Sequence, residues 1–327
     1  MNGVICIYKE QGYTSFDVVA IMRKLFRTKK VGHGGTLDPM AEGVLPIFIG
    51  GATKAADFCP DTTKEYRAGM RFGVTTDTQD FTGKVLSKSE KKLEESICAD
   101  LKAKFTGELL QTPPMYSAVR VNGKRLYDLA RKGVEIEREP RTVNIYSLDF
   151  EKFEDNDAEI LVSCSKGTYI RTLIHDMGIE AGTGAVMTSL LRTRSGMFTL
   201  RDCYKLSEVV GIKEQGGEPA LEKLLMPLKT VFAGLPPIDL SEAQTRMFLN
   251  GVVLDADRVR HEEGGEVYRI MSVYGDIIGL ARINEQSDLS VIQRFPPPKR
   301  DEGEPVQTAE QDGHLKDISG LKGVRFS

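Results

Sequence analysis

Asp38 stands in a segment whose residue types could expose a reactive carboxylate. Residues Val31–Pro39 read VGHGGTLDP, and an apolar stretch over Val44–Ile49 follows them. The paired glycines of this segment permit a positive φ and a close approach of the backbone, and the proline after the aspartate fixes the turn. The spacing therefore predicts a loop that presents one carboxylate at the rim of a buried strand.

The segment by itself leaves the role of Asp38 open. An aspartate before a proline commonly caps a short turn, which here would be Asp38-Pro39-Met40-Ala41. Other loops that carry a nucleophile or bind phosphate fit the chain badly, because it has no GxxxxGK[ST], no GxGxxG after a strand and no GxSxG. A turn-capping interpretation and a chemical one both stand at this point.

Cysteine and histidine are too scattered to predict a metal site or a disulfide framework. The chain has five cysteines without a CxxC pair and four histidines without HExxH spacing. We therefore predict that the protein holds no metal and no disulfide. The cysteines are Cys6, Cys59, Cys98, Cys164 and Cys203, and the histidines are His33, His175, His261 and His314.

Positive charge is concentrated in two short segments, although the net charge of the whole chain is −3. Residues 236–327 hold 11 basic and 16 acidic residues, which leaves 33 basic and 31 acidic residues for 1–235. Local stripes of charge attract phosphates whatever the total, but two solvated helix faces would give the same pattern. The clusters are Arg23, Lys24, Arg27, Lys29 and Lys30, and Arg120, Lys124, Arg125, Arg131 and Lys132.

Strand and helix patterns follow one another without a regular βαβ rhythm, which predicts the α+β class rather than a doubly wound sheet. A capping-box pattern over Thr14–Asp17 predicts the start of the first helix. The predicted strands are Gly3–Tyr8, Val44–Ile49, Tyr66–Phe72, Arg141–Phe153 and Ile160–Ser165, and the predicted helices are Phe16–Phe26, Lys91–Phe105 and Thr168–Ala181.

A second, smaller domain is predicted after the linker Leu235-Pro236-Pro237. The pattern of residues 236–296 is rich in strands, whereas the polar, acidic composition of residues 297–327 predicts a disordered tail. The elements predicted for the small domain are a helix over Ser241–Leu249 and strands over Val267–Ser272, Ile277–Ile283 and Leu289–Phe295.

No stretch of the sequence predicts a membrane span or an export signal. The longest apolar candidate, Gly43–Ala52, is shorter than the roughly 18 residues that identify a transmembrane helix. The first ten residues, MNGVICIYKE, predict a strand and lack the basic and apolar regions of a signal peptide. We therefore expect a cytoplasmic protein without a membrane partner.

Five motifs, in order along residues 1–200, resemble those of the TruB family of tRNA pseudouridine synthases. The segment that holds Asp38 resembles the catalytic motif of that family. Glu10 stands where the family usually has proline, which touches no chemistry, and Arg120 replaces a frequent lysine and keeps the charge. The motifs are KEQGYTS (Lys9–Ser15), GHGGTLDPMAEGVLP (Gly32–Pro46), KEY (Lys64–Tyr66), PPMYSAVRVNGKRLYDLAR (Pro113–Arg131) and CSKGTYIRTLIHDMG (Cys164–Gly178).

The resemblance implies a fold and a reaction. Residues 1–235 would form a catalytic domain with a mixed, largely antiparallel sheet, flanking helices and an RNA-contacting insertion at about 115–145. Residues 236–296 would be a PUA-like RNA-binding domain. The implied reaction isomerises the T-loop uridine of tRNA, uridine-55, to pseudouridine after the base is flipped out of its stack. No redox step occurs, so the resemblance implies no cofactor, and the expected partner of the monomer is the tRNA T stem-loop.

The same resemblance assigns roles to single residues. Asp38 would be the nucleophile, and Arg171 its partner, which we expect to keep the carboxylate ionised by lowering its pKa. Tyr66 would stack on the target uracil and take the proton released from the ring carbon, although a strand tyrosine packed in the core is an alternative. Tyr169 and Leu190 would line the uracil pocket, and for Leu190 an ordinary core role is equally compatible.

Further residues would meet the RNA around the target base. His33 would fill or support the gap that the flipped base leaves, while a loop histidine bonded to the backbone is the alternative. Lys64 would contact phosphate or support the loop near Tyr66. The residues expected to contact the RNA backbone are Arg120, Lys124, Arg125, Arg131, Lys132, Lys29 and Lys30.

Two other functions compete with a synthase. A non-catalytic tRNA-binding folding chaperone could use the same scaffold, and loss of function on removing Asp38 would distinguish the two. An RNA methyltransferase with a cysteine nucleophile is disfavoured, because the chain has no glycine-rich cofactor loop and no motif surrounds any of the cysteines.

Overall fold

The computed structural model describes residues 1–117, 119–121, 123–261 and 264–296. It divides the chain into two compact units, of which the first is Met1–Phe232 and the second begins at Ala233. The predicted disordered tail, residues 297–327, lies outside the described residues. The domain boundaries and the insertion that the sequence suggested stay predictions.

The first unit mixes strands and helices along its whole length. Its strands are β1 (Gly3–Lys9), β2 (Val31–His33), β3 (Glu42–Ile49), β4 (Lys64–Phe72), β5 (Val74–Thr76), β6 (Val85–Lys88), β7 (Gly107–Gln111), β8 (Arg120–Val121), β9 (Lys124–Arg125), β10 (Arg141–Glu154), β11 (Asp157–Cys164), β12 (Ala185–Ser195), β13 (Phe198–Thr199) and β14 (Cys203–Tyr204). Its α-helices are α1 (Ser15–Leu25), α2 (Ile97–Phe105), α3 (Leu126–Ala130), α4 (Ile170–Glu180), α5 (Leu206–Glu222) and α6 (Leu228–Val231), and 3₁₀-helices cover Gly50–Phe58 and Leu200–Asp202.

Ten strands of the described part of this unit form one mixed sheet. Eight follow the order β14-β1-β3-β12-β4-β11-β10-β7, while β2 pairs with β3 and β13 pairs with β12. The pairings β1–β14 and β3–β12 are parallel and the others are antiparallel. Because β12 lies between β3 and β4, it joins the two halves of the sheet. The predicted α+β class with a mixed, largely antiparallel sheet is confirmed.

Helix α1 begins at the predicted capping box and covers one half of the sheet. The Asp17 amide donates to the Thr14 hydroxyl at 3.0 Å, and the Thr14 amide donates to the Asp17 carboxylate at 2.8 Å. These bonds satisfy backbone donors that a first helical turn leaves free. Val18, Val19 and Met22 are buried and pack in one cluster with residues of β1 and β3.

Helix α4 packs in the cluster of the other half. Ile170, Leu173, Ile174 and Met177 recur at intervals of three or four residues and are buried with residues of β4, β11 and β12. This spacing turns one face of the helix toward the sheet. The orientation of the helix in turn determines where the side chains of its first turn lie.

The structure differs from the sequence prediction at α2 and β12, and the sequence pattern also does not predict helix α5. The helix predicted over Lys91–Phe105 begins only at Ile97. The side-chain amide of Asn156 donates to Lys91 O and accepts from Leu93 N, both at 2.9 Å, which holds the preceding residues outside the helix. The pattern does not predict β12, because this strand is buried on much of both faces and its register with β4 is interrupted twice by irregularities.

The second unit, taken by itself, is the predicted small β-rich domain. Among its described residues, buried side chains such as Ile238, Phe248, Tyr268 and Ile278 form one apolar core. None of the helices in the described ranges of either unit is long and apolar enough to cross a bilayer. The elements are β15 (Pro237–Asp239), α7 (Glu242–Leu249), a 3₁₀-helix (Ala256–Arg258), β16 (Arg260–His261), β17 (Tyr268–Met271), β18 (Ile277–Ile283) and β19 (Leu289–Arg294), with the sheet order β16-β15-β17-β18-β19.

The packing of α4 gives a first prediction. We expect Leu173→Ala to lower the free energy of unfolding of the first unit by about 2–5 kcal/mol, since the side chain is 1% exposed and its removal leaves a cavity. Denaturant unfolding followed by circular dichroism measures this change. The matched control on the same helix is Ile179→Ala, which is 59% exposed and should cost about 0.5 kcal/mol or less. Equal destabilisation of the two variants would contradict the packing described here.

Candidate active site

Asp38 lies in the connection between β2 and β3, and the residues beside it are fastened to other elements. The hydroxyl of Ser15, the first residue of α1, accepts from Leu37 N at 2.8 Å and donates to Leu37 O at 3.1 Å. The carbonyl of Pro39 accepts from Gly12 N at 2.9 Å and from the buried Nζ of Lys9 at 3.4 Å. The backbone on both sides of the aspartate is therefore fixed by contacts distant in sequence.

The carboxylate of Asp38 is paired with Arg171 from the first turn of α4. Nε of Arg171 lies 2.9 Å from Oδ2 of Asp38, and Nη2 donates to Oδ1 at 3.3 Å. The side chains of the arginine and the aspartate are 5% and 33% exposed, respectively. A forked contact of this kind fixes orientation as well as charge. The turn Asp38-Pro39-Met40-Ala41 is also present, and Ala41 N donates to Asp38 O at 3.1 Å to close it. The backbone of Asp38 therefore closes the turn, while its side chain pairs with Arg171.

Arg171 is held on its other side by a second group of acceptors. It donates to Thr78 O at 3.0 Å and to Tyr116 O at 2.8 Å, and Nη1 lies 3.8 Å from Oδ2 of Asp80. The start of its helix is capped from β7, because Gln111 accepts from the backbone of Tyr169 at 2.7 Å and donates back to it at 3.1 Å. The guanidinium thus has one fixed position between two carboxylates.

Asp80 is a buried carboxylate that the sequence motifs did not indicate. It lies in the connection between β5 and β6 and accepts from Thr78 Oγ1 at 2.8 Å and from Thr82 N at 3.0 Å. The preceding residue, Gln79, has a φ of 64°. Aspartate and threonine close together in a turn are common, so the spacing alone does not distinguish this segment from an ordinary loop.

The pKa of Asp38 moves in the direction opposite to our expectation. Burial of the carboxyl group raises its pKa above the ordinary value, Arg171 opposes this rise, and the negative charge of Asp80 adds to it. We expected Arg171 to lower the pKa; the arginine does pull it down, but desolvation outweighs the pull. The site therefore holds a carboxylate that is less stable as an anion than an exposed aspartate.

Two aromatic side chains lie beside this ion pair. Tyr66 on β4 is buried, and burial raises the pKa of its hydroxyl. The positive charge of Arg192 opposes this rise, and the negative charge of Asp38 adds to it. Tyr169, which is half-buried directly before α4, also has a pKa raised by burial. The charge of Asp38 adds to this rise, and the charge of Arg171 opposes it. Leu190 of β12 is buried in the same cluster as Tyr66. The two tyrosines are thus close enough to Asp38 for their charges to interact, whereas Leu190 is linked to Tyr66 through the apolar core.

His33 is the last residue of β2 and Lys64 is the first residue of β4, and both are partly buried. Burial lowers the pKa of His33, and its buried Nδ1 has no hydrogen-bond partner within the part of the chain that the structure describes. Lys64 donates to Ser195 Oγ at 2.7 Å, and burial together with the charge of Arg192 lowers its pKa to about 8. The ammonium group of Lys64 therefore already has a hydrogen-bond partner within the protein.

The predicted basic contacts are spread over two regions. Lys29 and Lys30 are exposed between α1 and β2, and Lys132 is exposed after α3. The guanidinium of Arg131 lies 5.6 Å from the ring centre of Tyr127. Arg120, Lys124 and Arg125 belong to the hairpin β8–β9, and their side chains lie outside the described residues. None of the contacts in the described part of the chain joins these basic groups to Asp38.

No group of three or more histidine, cysteine, aspartate or glutamate side chains that could hold a metal ion occurs among the described residues. The chemistry available at this site consists of one half-buried carboxylate with its guanidinium partner, a second, buried carboxylate behind the guanidinium, and two nearby tyrosines. Such a set can offer a nucleophile or a base to a flat, uncharged ring.

Comparison with known proteins identifies related chains. A family model described as TruB family pseudouridylate synthase (N terminal domain) matches residues 23–170, and one described as tRNA pseudouridylate synthase B C-terminal domain matches residues 171–233. A Clostridium tetani protein named tRNA pseudouridine synthase B is 45% identical over 261 residues, covering 79% of this chain and 88% of that protein. A Syntrophomonas wolfei protein of the same name is 40% identical over 299 residues, covering 90% and 97%.

Solved structures agree with the sequence relatives. The crystal structure of a Cbf5-Nop10-Gar1 complex contains a chain with 28% sequence identity and a TM-score of 0.69, and the match covers 90% of this chain and 85% of that chain. A structure of an H/ACA RNP bound to a substrate RNA containing 2′-deoxyuridine contains a chain with 26% identity and a TM-score of 0.68 over the same shares.

The charges around Asp38 predict how its pKa responds to substitution. We expect Asp80→Asn to lower the pKa of Asp38, because a neighbouring negative charge is removed, and Arg171→Gln to raise it, because the opposing positive charge is absent. Titration of carbon-13-labelled aspartate by NMR measures both changes. Asp157→Asn, which removes a carboxylate paired with Arg71, is the control and should leave the pKa of Asp38 unchanged. An upward shift in Asp80→Asn would contradict this electrostatic arrangement.

Proposed function

This chain belongs to the TruB family of pseudouridylate synthases, and on that basis we propose that it isomerises the T-loop uridine of tRNA, uridine-55, to pseudouridine through Asp38. The observation that carries the proposal is the forked Asp38–Arg171 pair, with distances of 2.9 and 3.3 Å, in a loop fastened on both sides of the aspartate. The relatives named tRNA pseudouridine synthase B support tRNA as the substrate.

The reaction needs a nucleophile that is ionised but shielded from water. The bond between the ribose C1′ and uracil N1 breaks, the ring turns, a bond forms between C1′ and C5, the proton leaves C5 and N1 gains one. A carboxylate can divide this exchange into two easier steps by adding to the anomeric carbon or to the ring. Arg171 keeps Asp38 oriented and offsets part of the cost of its burial.

Tyr66 and its neighbours suit a detached uracil. In the proposal the buried ring of Tyr66 stacks on the base, which contributes roughly 1–3 kcal/mol, and its phenolic oxygen, as the phenolate, takes the proton from C5. Tyr169 and Leu190 form the wall that excludes water around the carboxylate. No step of this sequence transfers electrons to or from a cofactor, and we propose that none is used.

The remaining predicted residues would handle the RNA. His33, with its unsatisfied Nδ1 in the described structure, is proposed to support the gap left by the flipped base, and Lys64 to steady the strand that carries Tyr66. We keep as proposals a PUA-like RNA-binding role for residues 236–296, a monomeric state and a cytoplasmic location, the last because tRNA is the proposed substrate. RNA backbone contacts are proposed for Lys29, Lys30, Arg120, Lys124, Arg125, Arg131 and Lys132.

Removal of the nucleophile is the direct test. The C5–H bond is broken in the reaction, so a tRNA transcript labelled with tritium at C5 of uridine should release tritium to water. We expect Asp38→Asn to reduce this release at least about 10⁴-fold, as removal of a nucleophile does, while the Kd for tRNA stays within about threefold. Primer extension after carbodiimide treatment identifies the position modified.

The control for this variant is Asp57→Asn, an exposed aspartate in the 3₁₀-helix after β3, which should turn over normally. If Asp38→Asn kept its rate, the aspartate could not be the nucleophile. If the wild-type enzyme bound tRNA but released no tritium, the proposal of a synthase would be wrong and the chaperone interpretation would take its place.

The exposed basic residues predict that binding depends on salt. We expect Lys29→Gln with Lys30→Gln to weaken tRNA binding and to reduce the slope of log K against log salt by about 0.7–0.9 for each lysine–phosphate pair that the substitutions remove. Filter binding at several salt concentrations measures the slope. Lys152→Gln, exposed near the tip of the β10–β11 hairpin, is the control and should leave it unchanged. If the binding constant for tRNA did not depend on salt concentration, these lysines would not be part of the RNA interface.

A further inference from the structure

Arg192 is a buried arginine of β12 to which neither the sequence motifs nor the proposed function assigns a role. Only 1% of the residue is exposed. It donates from Nε to Val44 O at 2.7 Å, from Nη2 to Gly35 O at 3.2 Å and from Nη1 to Thr36 O at 3.4 Å. One guanidinium thus connects strand β3 with two consecutive carbonyls of the segment that leads to Asp38.

The backbone of Arg192 is fixed as firmly as its side chain. In the sheet it stands between Gly43 of β3, its parallel partner, and Tyr66 of β4, its antiparallel partner. Gly43 has a φ of 105°, and a Cβ built on it would lie 2.3 Å from the carbonyl oxygen of Arg192. A side chain at position 43 would push the two strands apart, so the arginine is held in the one place from which it reaches the loop.

The contacts of Arg192 complete a set that surrounds the aspartate. Ser15 fastens Leu37, and Lys9 and Gly12 fasten Pro39. These contacts involve the residues directly before and after Asp38, but they do not hold the two carbonyls further upstream. The guanidinium of Arg192 bonds those two carbonyls.

We propose that Arg192 is a positioning residue for the reaction, whose guanidinium sets the direction in which the side chain of Asp38 points from its loop. This inference rests on the proposed function of the site. Arg192 is 1% exposed and acts through Asp38 rather than by touching the substrate.

Arginine is required by the geometry of the acceptors. Its planar fork carries five donors in fixed directions, whereas a lysine ammonium is one point charge at the end of a flexible stem. A lysine at position 192 could keep the charge but could not bond Gly35 O, Thr36 O and Val44 O together. A misplacement of about 1 Å at a reacting group can reduce a rate by about 100-fold.

The test compares Arg192→Lys with Arg194→Lys in the full-length enzyme. Arg194 lies two residues further along the same strand and is partly exposed, and its guanidinium lies 3.6 Å from the carboxylate of Asp61. We expect Arg192→Lys to lower the single-turnover rate of tritium release by about 100-fold with the Kd for tRNA within about threefold, and Arg194→Lys to change neither by more than about threefold.

Hydrogen exchange separates positioning from general stability. In Arg192→Lys we expect peptides covering residues 34–41 to exchange about tenfold faster, while peptides from β1 and α4 keep the wild-type rate. Faster exchange throughout the first unit would mean that Arg192 only stabilises the fold, and would overturn the inference, as would a single-turnover rate in Arg192→Lys within about threefold of wild type. If the wild-type enzyme releases no tritium, the proposed function itself fails, and the two failures are thereby distinguished.

Discussion

A half-buried carboxylate that must stay ionised is the constraint on which the architecture of the first unit depends. Burial raises the pKa of Asp38, and Arg171, held at 2.9 Å from the carboxylate, opposes that rise. The arginine in turn is buried, and such a cation is tolerated because carbonyls and a second carboxylate satisfy its remaining donors. Each charge of the site thus makes the burial of its neighbour possible.

The same constraint explains why the loop of Asp38 is fastened by so many elements. A pair of charges at a reacting centre gains most when its geometry is fixed before the substrate arrives, because reorganisation then costs little during the reaction. Ser15 from α1, Lys9 from β1 and Arg192 from β12 each bond a different peptide of the loop. Strands β1 and β12 of the sheet, together with α1 packed against it, bring these three side chains to one loop.

The part of this arrangement that could be predicted from the sequence is the part encoded locally. The capping box at Thr14, the glycine-rich segment before Asp38 and the β-rich second unit all follow from residue types within a short window, and the resemblance added Arg171. Asp80 and Arg192 could not be found this way, because an aspartate in a turn and an arginine in a strand have no distinctive local pattern. Their importance arises from partners more than 90 residues away.

The central position of β12 also affects how the chain reaches its native state. Strands β3 and β4 do not pair with each other. Strand β2 covers Ile47–Ile49 of β3, but Glu42 and Gly43 of β3 and one edge of β4 stay unpaired until residues 185–195 are made. A ribosome-bound chain interrupted before β12 therefore carries open strand edges, which are prone to wrong pairing. The many long-range pairings also favour slow folding.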